Sequence, residues 1–246
     1  MTNLLDDLAT DTAIEDSGDV LGGRGPMESG LYDMVITMAF MDLSSGGAKS
    51  VNLTFEDKNK KQLRITEYVT SGTAKGTKNY YEKDGVKKYL PGFNSINSIA
   101  QLTVGKELGA LDGEEKFVEV WDFDEGKMMP HKKFVLTELL GQTITVGVLK
   151  QVEDKNVKTD AGTWVPSGDT KTLNVIGKSF RASDGKTLAE IKAEAPAAEF
   201  KDQWATTYTG VTINRAKGVK KGGVAAAAGA AGINTTPGAA TKSLFP

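Results

Sequence analysis

The sequence predicts a mainly β protein built on a small antiparallel barrel, with one or two helices and disordered termini. Between residues 30 and 68, apolar and polar residues alternate in three short runs separated by polar turns, which is typical of an antiparallel meander. Further alternating runs after residue 114 could close that meander into a barrel. We therefore expect a barrel domain over 29–204, between an acidic flexible arm over 1–28 and a basic Gly/Ala-rich flexible tail over 205–246.

Each run of the predicted meander has one apolar side. The first run begins at Gly30, and its apolar side carries Tyr32, Met34, Ile36, Met38 and Phe40. The second run continues through Val51, Leu53 and Phe55, and the third through Leu63 and Ile65. Short polar connections between the runs favour pairing between neighbours along the chain.

Two segments favour helices. Residues 93–108 predict a helix after the breaking dipeptide Pro91–Gly92, with Asn94 or Ser95 as its N-cap. Residues 184–205 also favour a helix, which Pro196 must break or kink.

The remaining strands are expected in the second half of the chain. Alternation predicts strands over 116–124 and through 144–148, with a helical turn near 136–140 between them. Residues 154–180 predict a long exposed hairpin with Trp164 at its bend.

The two ends of the chain carry opposite charge. Residues 1–28 contain seven acids against the single basic residue Arg24, whereas five basic residues and no acid follow Asp202. An acidic arm could compete with nucleic acid for a basic surface or dock a partner protein. The simpler alternative is a solvated terminus with no role.

Composition excludes several classes of site. The chain has no cysteine and a single histidine, His131, so disulfides, thiolate metal sites, cysteine nucleophiles and His/Cys zinc sites are excluded. No run approaches the roughly 20 apolar residues that span a bilayer, and the N-terminus lacks the pattern of a secretory signal. We expect a cytoplasmic protein that is not an enzyme, with no catalytic residues, metal or cofactor.

The stretch from Tyr68 to Phe93 interleaves basic and aromatic residues more densely than any other part of the chain. Lysines can follow a phosphate backbone while aromatic faces stack on unpaired bases, which is the combination that single-stranded DNA binding requires. The residues assigned to this role are Tyr68, Lys75, Lys78, Tyr80, Tyr81, Lys83, Lys87, Lys88, Tyr89 and Phe93. Lys49, Arg64 and Trp164 are weaker candidates for the same surface. The dipeptide Asp84–Gly85 predicts a small hairpin within the stretch. The alternative is that these lysines serve only solubility.

Two enzymatic interpretations have less support. The glycine-rich segments do not fit the phosphate-loop pattern. Asp122, Asp124 and Glu125 could bind magnesium in a nuclease, but no lysine-containing nuclease pattern accompanies them, which favours an exposed strand end.

Several segments together resemble the OB-fold single-stranded DNA-binding proteins of bacteriophages. The similarity lies in KNYYEKDGVKKYLPGF and the helix after it, GKEL, VWDFD, VLTELLGQTITVGVLKQVEDKN and the WVPSG hairpin, and it covers about residues 30–204. The resemblance implies an OB-like barrel that binds and protects single-stranded DNA with little sequence preference during phage replication, recombination or repair. It also implies a location in the cytoplasm of the infected host cell and partners among phage replication or recombination proteins.

One feature departs from that family. Many of its members end in an acidic tail that recruits partners, whereas this chain is acidic at its start and basic at its end. Two other functions remain open: a phage structural or assembly protein, which would explain a β-rich domain with flexible ends, and the magnesium-dependent nuclease. The oligomeric state does not follow from the sequence.

Overall fold

The computed structural model describes residues 25–122, 124–160 and 162–218. The strands in this part of the chain are β1 (Gly30–Leu43), β2 (Lys49–Asp57), β3 (Gln62–Tyr68), β4 (Tyr80–Lys83), β5 (Val86–Tyr89), β6 (Glu114–Asp122), β7 (Lys127–Val135), β8 (Thr143–Lys158), β9 (Trp164–Arg181) and β10 (Thr212–Asn214). The α-helices are α1 (Pro91–Val104), α2 (Leu188–Lys192) and α3 (Glu199–Tyr208). Residues 1–24 of the predicted flexible arm and 219–246 of the predicted tail lie outside the described residues. The end of the arm is instead part of the domain, because Met27 is 2% exposed in the main core and its amide donates to Asn174 Oδ1 at 2.6 Å.

Strand β1 is the centre of an eight-stranded sheet. It pairs with β2 along most of its length, with β8 through its first half and with β7 near its end, always antiparallel. Strand β9 pairs antiparallel with β8, β10 runs parallel to β8, and β3 pairs with β2. The predicted meander and the mainly β, antiparallel class are confirmed.

Hydrogen bonding does not close this sheet into a barrel among the described strands. Strands β3 and β9 approach each other without pairing, and α1 packs against both of them. The predicted closed barrel is therefore not seen. Helix α1 packs where hydrogen bonds between β3 and β9 would otherwise close the barrel.

A β-bulge divides β1 into two parts. The register with β2 shifts between Ile36 and Met38, which leaves Thr37 as an extra residue. Met34 and Ile36 lie in the main core, whereas Met38 and Phe40 pack with a second cluster around Val118 and Val135. The strict alternation predicted from Tyr32 to Phe40 is wrong beyond residue 36, because one extra residue reverses the faces of every later side chain.

Helix α1 covers the main core. Ile96, Ile99, Ala100 and Leu102 are buried against side chains of β1, β2 and β8. The helix begins at Pro91 with Leu90 as its N-cap, so the predicted caps Asn94 and Ser95 lie inside it. Proline is favoured at the first helical position because the N–H that it lacks would have no partner there.

The fold continues beyond residue 204. Trp204 in α3 is almost fully buried beside Leu149 and Phe180. A Cβ atom added at Gly147 would lie 2.8 Å from the Trp204 ring, so this glycine allows the indole to approach the sheet. Residues 205–214, which we assigned to the tail, complete α3 and form β10. The contacts that order β10 are made with β8, about 60 residues earlier in the chain, so the local composition of this segment does not reveal them.

The described helices include none that is long and apolar enough to cross a membrane. Pro196 lies between α2 and α3, so the predicted break in the C-terminal helix is confirmed.

Candidate nucleic-acid interface

The stretch from Tyr68 to Phe93 is ordered by backbone hydrogen bonds to the sheet. The amide of Val69 donates to the carbonyl of Lys49 at 2.9 Å, and that of Thr73 donates to the carbonyl of Gly46 at 2.8 Å. The amide of Leu90 donates to the carbonyl of Asn79 at 2.9 Å, which joins the two ends of the segment. The stretch is thus held at the turn between β1 and β2.

Strands β4 and β5 form the predicted hairpin. The turn residues Asp84 and Gly85 have φ values of 53° and 73°. Positive φ at both positions is the requirement of a type I′ turn, and Asp-Gly is among the dipeptides that adopt it most readily. Tyr80 pairs with Tyr89 across the hairpin, and Tyr81 pairs with Lys88.

The hairpin has two faces of different composition. Side chains alternate along each strand, so Tyr80, Glu82, Lys87 and Tyr89 share one face, which we call the tyrosine-pair face. The other face carries Tyr81, Lys83, Val86 and Lys88. The five aromatics of the stretch therefore do not form one continuous wall.

The tyrosine-pair face is connected to the body of the protein. The rings of Tyr89 and Phe93 lie 4.9 Å apart between centroids. Phe93 is half-buried against the main core, whereas Tyr89 is 55% exposed. The ammonium groups of Lys78 and Lys87 lie 5.6 and 5.2 Å from the centroid of the Tyr80 ring. Tyr89 thus presents an open aromatic surface beside a ring that is flanked by cations.

A groove of about 840 Å³ runs beside this face. Its walls come from the base of the hairpin stretch, from α1 and from β7, and Met41, Leu108 and Leu136 contribute apolar surface. The basic and aromatic side chains that line it are Lys49, Lys78, Phe93, Lys132, Lys133 and Phe134. Because Lys78 and Phe93 line the groove and also contact Tyr80 and Tyr89, the groove and the tyrosine-pair face are continuous.

The groove is positively charged. Of the residues that the structure describes, four lysines and one acid, Asp42, line it. Lys133 pairs with Asp42 at 2.8 Å, and Lys132 pairs with Glu115 at 2.5 Å. Among the described residues, no carboxylate lies within ion-pairing distance of Lys49 or Lys78, so these two cations are available to a ligand.

Two close contacts between backbone and side chain shape the groove and its surroundings. A Cβ atom at Gly113 would lie 2.6 Å from the ring of Phe134, so glycine at this position allows the ring to take its place in the wall. A Cβ atom at Gly92 would lie 2.4 Å from the carbonyl oxygen of Tyr68, which brings the start of α1 close to β3. Beneath this contact, burial raises the pKa of the Glu67 carboxyl.

The structure separates the remaining predicted residues from the groove. Tyr68 and Lys75 line a smaller adjoining pocket of about 530 Å³, and Arg64 lines a different cleft. Trp164 lies at the start of β9, opposite Lys158 of β8 and 65% exposed, rather than at the bend of the hairpin. The sequence interpretation missed Lys132, Lys133 and Phe134, although KKF repeats on a small scale the basic and aromatic pattern of the main stretch.

The acids considered for a metal site have a structural role. Asp122 ends β6, and its Oδ1 atom accepts hydrogen bonds from the amides of Asp124 and Glu125 at 2.9 and 3.0 Å. These bonds, with His131 Nε2 at 3.0 Å from Oδ2, lower the pKa of the Asp122 carboxyl. Asp124 lies in the turn after β6, although the predicted strand over 116–124 included it. Within the described residues, no group of three or more acids and histidines is placed to hold a metal.

No family model matches the chain, and no curated protein is significantly similar to it.

Proposed function

We propose that this protein binds and protects single-stranded DNA with little sequence preference. The observation that carries the proposal is the continuity between the lysine-lined groove and the tyrosine-pair face of the β4–β5 hairpin. Lysines neutralise phosphates whatever the sequence, and every base has a flat face that can stack on an aromatic ring. A duplex hides those faces inside its stack, so such a surface favours single strands.

The arrangement suggests how a strand would lie. Phosphates would contact Lys49 and Lys78, which have no carboxylate partner among the described residues. A base would stack on the exposed ring of Tyr89, whose position is supported by Phe93. Lys132 and Lys133 would approach from the opposite wall once their own acids are displaced or shared.

An OB-like barrel is the finer description of the fold that we propose. The supporting observation is the chain order β1, β2, β3, α1, β8 and β9, in which β1 pairs with both β2 and β8. A five-stranded, partly open antiparallel barrel with these neighbours is an OB-type arrangement. The β4–β5 and β6–β7 hairpins would then be insertions on either side of α1.

The biological setting is part of the proposal. By its resemblance to the phage single-stranded DNA-binding proteins, the chain would act in replication, recombination or repair in the cytoplasm of the infected host cell. Phage replication or recombination proteins would be its partners.

The test compares the two faces of the hairpin. The double variant Tyr80→Ala/Tyr89→Ala should bind a labelled single strand about tenfold or more weakly, since stacking contributes about 1–3 kcal/mol per base. Tyr81→Ala, on the opposite face, is the matched control and should bind within about twofold of the wild type. Fluorescence anisotropy gives the affinities, and circular dichroism checks that each variant remains folded.

The same titration separates the other candidate functions. Binding should be stronger to single strands than to duplex and should weaken as salt is raised. Salt-insensitive or undetectable binding would contradict the proposal and favour a structural or assembly role. Magnesium-dependent loss of full-length DNA would favour the nuclease.

A further inference from the structure

The β6–β7 hairpin has an apolar face that no other part of the described chain covers. Phe117 pairs with Lys132 and Trp121 pairs with Met128, so alternate residues of the two strands lie on the same side. The residues on this side, which we call the open face, are Glu115, Phe117, Glu119, Trp121, Met128, Pro130 and Lys132. All of them are exposed, with Phe117 at 75%, Trp121 at 52% and Met128 at 49%.

The opposite side of the hairpin attaches it to the sheet. Val118 is 6% exposed, and Val120 packs with it against Phe40 and Val135. The rings of the open face are therefore not needed to hold the hairpin in place. Large apolar side chains that a fold leaves in water side by side usually mark a binding surface.

Charge argues against a path for DNA across the open face. Glu115 pairs with Lys132 at 2.5 Å, and Glu119 lies between Phe117 and Trp121 along the strand. Among the described residues, no basic side chain lies within ion-pairing distance of Glu119. With two acids against one lysine, the open face is negative and would repel phosphates, so a protein surface fits it better than a nucleic acid.

A face of opposite charge lies on the β4–β5 hairpin. It is the side away from the tyrosine pair, which carries Tyr81, Lys83, Val86 and Lys88, and we call it the Tyr81 face. Tyr81 is 41% exposed and Val86 is 54% exposed. Neither lysine has a carboxylate within ion-pairing distance in the described part of the chain. The Tyr81 face therefore complements the open face in charge, and both offer exposed apolar surface.

We infer that the open face of one copy of this protein binds the Tyr81 face of a second copy. The two faces lie on different hairpins, so the contact is head-to-tail and can repeat from copy to copy. The lysine-lined groove lies between the bases of these hairpins, so the contact brings the grooves of neighbouring copies together. Cooperative coating of one DNA strand follows, and this last step rests on the proposed function.

The size of the contact predicts weak association. With 150–250 Å² for a whole aromatic side chain, Phe117 and Trp121 together expose about 200–300 Å². A stable interface buries about 800 Å² on each partner. We therefore expect monomers in dilute solution, and association at high protein concentration or between copies on one strand.

Reciprocal charge reversal tests the contact without DNA. In sedimentation velocity at high protein concentration the wild type should self-associate. Glu119→Lys alone, or Lys83→Glu/Lys88→Glu alone, should associate about tenfold or more weakly, because each places like charges across the contact. An equimolar mixture of the two variants should associate again, because opposite charges then meet whichever variant supplies the open face.

Lys171→Glu, which changes an exposed residue of β9 outside both faces, is the control and should associate like the wild type. Circular dichroism checks that each variant is folded. A wild type that stays monomeric at high concentration, or a mixture that does not regain association, would overturn the inference.

Strand length separates this contact from the DNA site. Trp121→Ser and Tyr81→Ala should bind a strand that holds one copy within about twofold of the wild type, because neither residue lies in the DNA site. On a strand that holds many copies, their apparent affinity should fall about tenfold, since aromatic anchors dominate protein contacts. Trp164→Ser removes a tryptophan that is also exposed but lies outside both faces, and it should retain cooperativity.

Weaker binding of Trp121→Ser to the short strand would mean that the open face contacts DNA itself, which would overturn the inference and leave the proposed function intact. If the wild type binds no strand, the proposed function fails. The association measured without DNA still decides whether the two faces bind each other.

Discussion

Tyr89 of β5 and Phe93 of α1 are in ring contact, with centroids 4.9 Å apart and planes inclined by 33°. Phe93 packs on the main core, so this contact joins the exposed hairpin to that core. The position of the tyrosine-pair face therefore depends on a residue that is only half-buried.

Removing the Phe93 ring should loosen the hairpin without unfolding the domain. We expect Phe93→Leu to cost about 1.5 kcal/mol or less in the free energy of unfolding, since the volume of the core is nearly kept. Single-stranded DNA affinity should fall several-fold, because Tyr89 loses the ring that orients it. Phe93→Tyr keeps a ring and serves as the control. Chemical denaturation measures the change in stability, and fluorescence anisotropy measures the affinity for single-stranded DNA. Equal affinities for the two variants would contradict the role of the Phe93 ring in orienting Tyr89.

The two lysines without acidic partners should dominate the salt dependence of binding. Each phosphate contact on a single strand contributes about 0.7 to the slope of log K against log salt, so Lys49→Gln/Lys78→Gln should reduce the slope by about 1.4. Lys171 in β9 is exposed and lies outside the lining of the groove, so Lys171→Gln should change the slope little. An unchanged slope in the double variant would place the phosphates elsewhere.

Gly113 controls the position of Phe134 in the groove wall. In Gly113→Ala the new methyl group would lie 2.6 Å from both the Phe134 ring and the carbonyl oxygen of Val135, so β7 must shift. We expect about 1–3 kcal/mol loss in unfolding free energy and weaker binding of single strands. Gly46→Ala is the control because the nearest atom to its methyl group would be 3.9 Å away. If both alanines behave alike, the close packing at Gly113 has no role.

Trp204 should anchor the C-terminal helix. Trp204→Ala removes a side chain that is 3% exposed and packs on Leu149 and Phe180, and it should cost about 3–5 kcal/mol in unfolding free energy. Phe200 lies in the same helix but is 40% exposed, so Phe200→Ala should cost clearly less. Urea denaturation gives both values. Similar losses for the two variants would mean that α3 is held by other contacts.

Local patterns made much of this structure predictable. The Asp84–Gly85 dipeptide determines its turn through φ angles that few other pairs adopt, and the meander follows from alternation and short connections. The β4–β5 hairpin with its aromatic and basic residues was accordingly found from the sequence. Its division into two faces could be derived only once the register was known.

Long-range packing accounts for what the sequence did not predict. Phe134 reaches the groove from a strand more than 40 residues away from Lys78 along the chain, and no local signal states that these strands meet. The β-bulge at Thr37 also has no clear local signature. The bulge lets the later half of β1 pack against Val118 and Val135, which lie far away in the sequence.

Thr37 reverses the alternation of side chains within β1. Thr37 has no paired residue on β2. The even-numbered side chains of β1 therefore lie in the main core before Thr37 and in the cluster around Val118 and Val135 after it. This one residue thus lets a single strand contribute to both clusters. Deleting Thr37 would make the pairs Ile36–Phe55 and Met38–Thr54 consecutive, so Phe40 would stay beside Val118 and Val135 while β1 lost the local bend and added twist of the bulge.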